Sequence, residues 1–289
     1  MTTVGILARP DLARAGATLQ ELVTWLCARG VSVRLEERTA RLLTGGVPGS
    51  CHTASARDVA EGSEALIVLG GDGTLLAASH DLRASIPVLG VNFGSLGFLT
   101  EITLAELYPA LESLLDGSYR FEERLMLRAT IQREDRSEVM GDVLNDVVVT
   151  RAALSRIIHL DVTVDGLFMS AFRADGLIVS SPTGSTAYNL AAGGPILHPS
   201  LAAVVLTPIC PHMLTNRPLV VREEAVIEVR LREAVEGDVH IALDGQPGLP
   251  FAPGDLLRIS KSPRSVRLVK SPGRDYYEVL RTKLKWGER

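Results

Sequence analysis

Cysteine is scarce in this 289-residue sequence, and long apolar runs are absent from it. The three cysteines, Cys27, Cys51 and Cys210, are widely spaced and form no CxxC pair, so the sequence indicates neither a disulfide framework nor a zinc site. No stretch approaches the roughly 18 apolar residues of a membrane span, and the first thirty residues carry charges throughout. We therefore expect a soluble, cytoplasmic protein with no membrane partner.

The sequence also lacks an excess of basic residues. Its formal net charge is -4, which excludes the broad positive surface of a nucleic-acid-binding protein and requires any phosphate site to be local. None of the six histidines has metal-ligand spacing, and no set of metal ligands is predicted. Hydrophobic residues make up 46% and charged residues 22%, as in ordinary globular proteins of one large or two modest domains.

The first part of the sequence alternates between strand and helix patterns. Short apolar runs at 4–8, 65–69 and 86–91 indicate buried strands, and apolar residues at helical spacing follow the first run as far as Gly30. Strands that alternate with helices predict a parallel, wound α/β sheet over residues 1–119. Thr103 and Glu106 have the spacing of a capping box, and Pro109 predicts a kink in the next helix or a later start.

Beyond about residue 119, apolar and polar residues alternate with the period of β-strands. Asp165-Gly166 is a strong hairpin signal, and Asp244-Gly245 is a weaker one. Residues 120–269 are therefore predicted to form a β-rich domain. Residues 270–289 are predicted to form an amphipathic helix that packs back on the first domain. The apolar residues of that helix are Tyr277, Leu280 and Leu284.

The motif Gly70-Gly71-Asp72-Gly73-Thr74 ends one of the predicted buried strands. Glycine lets the backbone adopt positive φ and approach a phosphate closely. A carboxylate beside a phosphate would hold a metal ion or accept the proton of an attacking hydroxyl. The alternative is a strand-to-helix turn in which Asp72 caps a helix that opens at Thr74. Other nucleotide loops are excluded, because GxxxxGK[ST] is absent and no GxGxxG follows the first strand.

A second glycine-rich segment, residues 175–195, follows an apolar strand and is dense in hydroxyl groups. Hydroxyls suit the edges of sugars and bases, and the Tyr188 ring suits stacking. The alternative is a polar loop in which Ser185 or Thr186 caps a helix. The hydroxyl residues of this segment are Ser180, Ser181, Thr183, Ser185 and Thr186.

Two smaller groups of polar residues are also candidates for a binding site. Asn145 and Asp146 interrupt an apolar run, and an adjacent amide and carboxylate suit ribose hydroxyls; the alternative is a bulge or the start of a strand. Arg156 and Arg173 flank the predicted hairpin and suit a pyrophosphate; the alternative is that both are ordinary surface arginines.

In this order, the motifs resemble the NAD kinase family, whose members transfer a phosphoryl group to the adenosine 2′-hydroxyl of NAD and so make NADP. GGDGT alone is shared with lipid kinases and phosphofructokinases, whereas the ordered set is highly specific and covers most of the chain. The matching segments are GGDGT at 70–74, GVNFGSLGFL at 90–99, LNDVVV at 144–149, DGLIVSSPTGSTAYNLAAGGPI at 175–196 and LDGQ at 243–246.

The resemblance implies roles for individual residues. Asp72 would be the general base on the 2′-hydroxyl, and Gly73 would lie against the nucleotide. Asn145 and Asp146 would contact ribose, with Asp146 standing where the family often has glutamate. The other residues implied to surround the dinucleotide are Arg156, Arg173 and Asp175 on the nicotinamide side, Gln246 on the base side, and Thr186, Ala187, Tyr188, Asn189, Leu190 and Ala191 around adenine and nicotinamide.

The resemblance also implies a fold and a set of partners. The expected fold is a Rossmann-like α/β N-terminal domain followed by a β-rich (β-sandwich) C-terminal domain. The expected substrates are NAD and ATP, or polyphosphate in place of ATP. Mg²⁺ or another divalent cation would arrive with the phosphate donor, and the chain would form a homodimer or homotetramer.

Two other functions compete with this interpretation. A diacylglycerol or sphingosine kinase shares GGDGT, but such proteins typically follow it with a GTxND stretch, whereas residues 94–97 here read GSLG. A regulator that senses NAD or NADP without catalysis is the candidate from another class. Asp72 argues against the regulator, because a protein that only binds gains nothing from a base that faces the phosphate.

Overall fold

The structure is a computed structural model, and it divides into two compact units. The first unit comprises Met1–Glu123 and Val266–Arg289, and the second comprises Arg124–Ser265. The residues that the structure describes are 1–9, 15–46, 48–49, 51–82, 85–94, 96–134, 136–151, 157–213, 215–233 and 238–287.

The first unit is a wound α/β fold. Its parallel strands lie in the order β3-β2-β1-β4-β5, and β6 and the end of β18 pair with β5. Its elements are β1 (Thr3–Ala8), α1 (Ala15–Ala28), β2 (Ser32–Glu36), α2 (Glu37–Ala40), β3 (Cys51–Ala54), α3 (Ala56–Glu61), β4 (Ala65–Leu69), α4 (Asp72–Asp81), β5 (Pro87–Asn92), β6 (Ile102–Thr103), a 3₁₀ turn (Leu104–Glu106), α5 (Leu107–Asp116) and α7 (Tyr276–Leu284).

Burial explains why these segments form a wound sheet. Every residue of β4 and β5 is buried, as in a strand covered on both faces. Helix α1 packs on the sheet through Leu19, Leu22, Val23 and Leu26, which recur every three or four residues and share one core cluster with the strands. The Rossmann-like α/β fold predicted for this part of the chain is confirmed.

The strand order reverses direction beside β1. From β1 the chain moves to β2 on one side, whereas the later strands β4 and β5 lie on the other side. Loops that leave two neighbouring strands in opposite directions open a crevice at their carboxyl ends, which is where ligands bind in wound sheets. Arg9 follows β1 and Gly70 follows β4, so both residues lie at this switch point.

The second unit is β-rich and has two layers. One sheet has the antiparallel order β14-β13-β12-β9-β16-β17, and the other contains β11-β10-β15-β18 with β7 and β8. Its elements are β7 (Phe121–Arg133), β8 (Arg136–Val143), β9 (Asp146–Arg151), β10 (Ile158–Val164), β11 (Leu167–Ala174), β12 (Gly176–Ser180), a 3₁₀ turn (Gly184–Thr186), α6 (Tyr188–Ala191), β13 (Ala203–Ile209), β14 (Leu219–Arg222), β15 (Ile227–Leu231), β16 (Val239–Leu243), β17 (Leu249–Pro250) and β18 (Leu256–Val269).

One apolar cluster joins the two sheets of the second unit. It includes Leu127 and Val229 from one sheet and Val147 and Leu177 from the other, so the sheets pack face to face over a common core. The β-sandwich expectation is therefore confirmed. The predicted hairpin turn at Asp165-Gly166 is also confirmed, because both residues have positive φ between the paired strands β10 and β11.

The helix signals are confirmed in part. Thr103 and Glu106 form the predicted capping box, in which the Thr103 amide donates to Glu106 Oε2 at 2.8 Å. Pro109 lies in the first turn of α5, where a missing N–H costs little, so the helix starts later than the box, as predicted. The predicted face of α7 is wrong in one residue, because Tyr277 is exposed whereas Val279 and Leu280 are buried.

Candidate active site

The glycine motif forms the junction between β4 and α4. The Gly70 amide donates to the Val91 carbonyl at 2.9 Å, and a Cβ at Gly70 would lie only 2.4 Å from Thr74 Oγ1. Nothing lies within 4 Å of the position of a Cβ at Gly71 or Gly73, so both residues face open space. Gly71 and Gly73 thus leave room for close approach, and Gly70 leaves room for the Thr74 side chain. None of the three adopts positive φ, so the expectation of positive φ is wrong.

Asp72 is held by a loop that lies 26 to 28 residues further along the chain. Its Oδ2 accepts the Phe98 amide at 2.8 Å, and its Oδ1 accepts the amides of Leu99 at 3.0 Å and Thr100 at 3.1 Å. The Thr100 hydroxyl donates to Oδ1 as well, at 3.0 Å. The helix begins at Asp72 itself with Gly71 as its N-cap, so Asp72 does not cap a helix that opens at Thr74.

This hydrogen bonding leaves the two carboxylate oxygens in different states. Each oxygen of an ionised carboxylate has about two lone pairs. Oδ1 accepts three hydrogen bonds and is saturated, whereas Oδ2 accepts only the one from Phe98. Oδ2 is therefore the oxygen that has capacity to accept a further proton.

Two cavities flank the glycine motif within the first unit. The Asp72 cavity has a volume of about 320 Å³ and is lined by Arg9, residues 70–72, residues 92–94, Gly97 and Lys283. The switch-point cavity has a volume of about 450 Å³ and lies on the other side of the motif. It is lined by Leu7, Ala8, Arg9, Glu36, Arg38, Ala56, Gly71, Gly73, Thr74, Ala77, Ala78 and Asp81. Arg9 and Gly71 line both cavities, so the two spaces adjoin.

In the second unit, a carboxylate orders the segment that contains Asn145 and Asp146. Asp244 lies in a turn with φ of 50°, and its oxygens accept the amides of Leu144 at 2.8 Å, Asn145 at 2.7 Å and Asp146 at 3.0 Å. Asn145 lies between β8 and β9, and Asp146 begins β9. The pair therefore marks the start of a strand and does not interrupt one.

Asp146 is buried, with 4% of its surface exposed. Burial raises the pKa of its carboxyl to about 7, and the neighbouring Asp244 carboxylate contributes to the rise. Asp146 therefore changes its protonation state near neutral pH, at one of the positions that the family resemblance assigns to ribose.

The hydroxyl-rich loop turns some of its polar groups inward. Ser185 Oγ donates to the Pro182 carbonyl at 2.6 Å and accepts the Leu197 amide at 2.9 Å. The Asn189 amide group is fully buried and donates to the carbonyls of Ser185 and Pro195, both at 3.0 Å. Ser185 and Asn189 thus fix the shape of the loop. Neither Ser185 nor Thr186 is a helix cap, because the cap position of α6 is Ala187.

Other residues of the same loop face outward. Tyr188 is 45% exposed, Ala187 and Ala191 are exposed, and Thr186 and Leu190 are half-buried. The outward-facing side chains offer a stacking ring and a small apolar surface. Burial raises the pKa of the Tyr188 hydroxyl, and the neighbouring groups of Cys210, Asp146 and Asp175 raise it further.

The remaining predicted residues are distributed around this loop and beyond it. Asp175 forms an ion pair with Arg151 at 2.9 Å, and Arg173 is exposed on β11. Gln246 is exposed in the turn after Asp244, where its amide donates to the Leu243 carbonyl at 2.9 Å. Arg156 lies outside the described residues.

Sequence reasoning missed several residues that organise the site. The hydrogen bonds from residues 98–100 to Asp72, and those that Asp244 accepts from three amides, were missed because each joins segments that are far apart in the chain. Arg124 was missed as well; it is buried, and its Nη1 lies 3.5 Å from Thr183 Oγ1 in the hydroxyl-rich loop. The only sequence feature that distinguishes Arg124 is its position directly before the alternating apolar residues that begin at Leu125.

The described part of the chain contains no group of three or more His, Cys, Asp or Glu side chains that could hold a metal ion. It also contains no helix that is long and apolar enough to cross a membrane.

Two family models match most of the chain. The model of the ATP-NAD kinase N-terminal domain matches residues 4–119, and the model of the ATP-NAD kinase C-terminal domain matches residues 144–271. The chain belongs to the NAD kinase family. Similar full-length relatives include the NAD kinases of Geotalea daltonii, 50% identical over 292 residues, and Citrifermentans bemidjiense, 47% identical over 290 residues. Each alignment covers 100% of both chains.

Solved structures in this family have the same fold. The yeast NADH kinase complexed with NADH superimposes with a TM-score of 0.91 at 25% identity, covering 100% of this chain and 89% of that one. The NAD kinase from Archaeoglobus fulgidus in complex with ATP gives a TM-score of 0.76 at 24% identity, covering 97% of this chain and 99% of that one.

The packing of Gly97 against Asp72 gives a first prediction. A Cβ at Gly97 would lie 2.0 Å from Asp72 Oδ1, so Gly97→Ala must displace either the loop or the carboxylate. We expect the free energy of unfolding in urea to fall by about 1–3 kcal/mol. Gly94→Ala is the matched control, because its Cβ would meet only Asn92 Oδ1 at 3.8 Å. Equal stability of the two variants would contradict the packing argument.

The buried Asp146 gives a second prediction. Its folded pKa of about 7 exceeds the ordinary value of 3.8, so the folded state binds more protons between these pH values and loses stability as pH rises. Asp146→Asn should remove roughly 2–3 kcal/mol of the difference between the unfolding free energies at pH 5 and pH 8. Urea unfolding of both proteins at the two pH values measures this. A variant with the same pH slope as the wild type would show that Asp146 titrates normally.

Proposed function

We propose that Asp72 is the general base with which this member of the NAD kinase family transfers the γ-phosphoryl group of ATP to the adenosine 2′-hydroxyl of NAD. The observation that carries the proposal is the carboxylate of Asp72 itself. It lies in an open glycine turn, its position is fixed by four hydrogen bonds, and Oδ2 retains capacity for a proton.

The first unit offers what phosphoryl transfer requires, namely fixed positions and neutralised charge. Gly71 and Gly73 give a phosphate chain room to approach the backbone, and Arg9 and Lys283 bring positive charge to the Asp72 cavity. In the proposed step the 2′-oxygen bonds to the γ-phosphorus, and the bond from that phosphorus to the bridging oxygen of ADP breaks. The hydroxyl proton passes to Asp72 Oδ2.

Residues of the second unit supply contacts for NAD in this proposal. Asn145 and Asp146 would bind ribose hydroxyls, and the outward-facing Tyr188 would stack on a base. Asn189 would act by holding the loop, because its side chain is buried. The other proposed contacts are Gly73, Arg156, Arg173, Asp175, Thr186, Ala187, Leu190, Ala191 and Gln246.

A divalent cation accompanies ATP in this proposal. Mg²⁺ keeps several of its waters and binds the phosphates of its nucleotide. No residue is assigned as its ligand, because Asp72 Oδ1 is saturated and Oδ2 takes the hydroxyl proton. The ion would arrive with ATP and neutralise phosphate charge. We further propose a cytoplasmic homodimer or homotetramer, on the family resemblance, and polyphosphate as a second possible donor.

Replacing the base tests the mechanism. Asp72→Asn keeps an oxygen that accepts the amides of Leu99 and Thr100, but it removes the acceptor of the Phe98 amide and cannot take up a proton. We expect kcat for NADP formation from NAD, ATP and Mg²⁺ to fall about 10²–10⁴-fold. The dissociation constant for NAD, measured by calorimetry, should change less than about twofold, because the ribose contacts are unaffected.

The control is Asp116→Asn, an exposed aspartate at the end of α5 that lines neither cavity, which should keep wild-type turnover. Near-wild-type turnover in Asp72→Asn would remove the base assignment. A wild-type protein that binds NAD but makes no NADP from either ATP or polyphosphate would instead favour the nucleotide sensor.

A further inference from the structure

Among the described residues, Thr100 is the one whose side chain donates a hydrogen bond to Asp72. Its Oγ1 donates to Asp72 Oδ1 at 3.0 Å, and it accepts the side-chain amide of Asn92, whose Nδ2 lies 2.9 Å away. Thr100 is fully buried, and 8% of Asn92 is exposed. Two hydrogen bonds therefore run from Asn92 through Thr100 to the proposed base. The proposed mechanism assigns no role to Asn92, the first residue of this hydrogen-bond chain.

The direction of both hydrogen bonds follows from the chemistry of the groups. An amide nitrogen only donates and an ionised carboxylate only accepts, whereas a hydroxyl has one proton to give. Asn92 Oδ1 accepts the Gly94 amide at 2.6 Å, so the other end of the same side chain, Nδ2, faces Thr100. Thr100 Oγ1 therefore accepts from Asn92 and gives its own proton to Asp72.

The backbone of Gly97 covers the hydrogen bond between Thr100 and Asp72. A Cβ at Gly97 would lie 2.0 Å from Asp72 Oδ1 and 2.5 Å from Thr100 Oγ1. The Gly97 amide also donates to the Thr100 carbonyl at 3.2 Å, which closes the loop over the pair. Because the Gly97 backbone fills this side of Oδ1, a water molecule would not replace a missing hydroxyl there.

The amide of Asn92 restricts the Thr100 hydroxyl to one acceptor. If residue 92 carried an acceptor at this position, the single hydroxyl proton would be shared between residue 92 and Asp72. A hydroxyl that accepts one hydrogen bond is also polarised, so the bond that it donates becomes stronger. Asn92 thus keeps the Thr100 proton directed at Oδ1, the oxygen that takes no further proton in the proposed mechanism.

We propose that Asn92 is a positioning residue for phosphoryl transfer and acts on Asp72 through the Thr100 hydroxyl. The oriented hydroxyl holds the carboxylate by Oδ1, so that Oδ2 is presented to the proton of the acceptor hydroxyl. The inference rests on the proposed function, because it concerns the base of that reaction. It requires Asn92 to affect the rate of the chemical step through Thr100 and not the binding of NAD.

Thr100→Val tests the hydroxyl, because valine keeps the branched shape of threonine and removes the donor. We expect kcat for NADP formation to fall about tenfold, since one hydrogen bond to a charged group has an effect of that order. KM for NAD should stay within about twofold. Thr100→Ser keeps the hydroxyl and should recover kcat to within about twofold of the wild type. The matched control is Thr24→Val, the same exchange at an exposed position of α1 that lines neither cavity, which should keep wild-type kcat.

A double-mutant cycle tests whether Asn92 acts through Thr100. Asn92→Ala removes the donor, and the exposed Gly94 amide can then bond to water. Asn92→Asp keeps an acceptor for Gly94 but replaces the donor to Thr100 with an acceptor that competes with Asp72. We expect kcat at saturating NAD and ATP to fall about tenfold with aspartate and by a smaller factor with alanine. In the Thr100→Val background, both substitutions should change kcat by less than about twofold.

The outcomes separate this proposal from the proposed function. A wild-type kcat in Thr100→Val, or a loss in Thr100→Ser as large as in Thr100→Val, would overturn the positioning role alone. Losses at Asn92 that are just as large without the Thr100 hydroxyl would overturn it as well; a raised KM for ATP would then indicate that Asn92 contacts the phosphate donor itself.

If the wild type makes no NADP, the proposed function fails and the hydrogen-bond chain remains testable. The same cycle is then measured as free energies of unfolding in urea, which need no substrate. Coupling between positions 92 and 100 would support the hydrogen-bond chain, and additive losses would overturn it.

Discussion

The hydrogen bonds that hold the Asp72 carboxylate are the interaction on which the active site depends. They tie the start of α4 to residues 98–100, which lie between β5 and β6. In the proposed mechanism, a base that is fixed before the substrate arrives needs no reorganisation at the moment of reaction. The same hydrogen bonds saturate one oxygen and leave capacity on the other, so in the proposed mechanism the packing of the loop selects the oxygen that takes the proton. The Asp72 side chain therefore both joins α4 to residues 98–100 and serves as the proposed base.

In the second unit, another aspartate also accepts several backbone amides from a distant segment. Asp244 accepts three consecutive backbone amides and thereby fixes the start of β9. This rigidity has an electrostatic consequence, because the Asp244 charge lies beside the buried Asp146 and helps to raise the pKa of Asp146. Burial is the larger cause of this raised pKa, and the Asp244 carboxylate that organises the backbone adds to it.

Features whose residues lie close together in the sequence were predicted correctly. The capping box of Thr103 and Glu106 and the turn at Asp165-Gly166 each lie within four residues, and both formed as predicted. The wound sheet and the β-sandwich followed from the apolar period of each segment. The partners of Asp72 were not predictable in this way, because they are set by how β4 and β5 lie side by side. The glycines of the motif were predicted for the wrong reason, since they provide space and not positive φ.

The position of the glycine turn separates this first unit from a dinucleotide-binding fold. Such a fold carries its glycine fingerprint directly after the first strand, where the helix N-terminus meets the pyrophosphate. Here the glycine turn follows β4, on the other side of the switch point, and β1 leads to Arg9 instead. This turn and Glu36, at the end of β2, line the same cavity. The sequence directly after β1 reads RPDLARAG and carries no GxGxxG, so the dinucleotide fingerprint is absent from the position at which that fold places it.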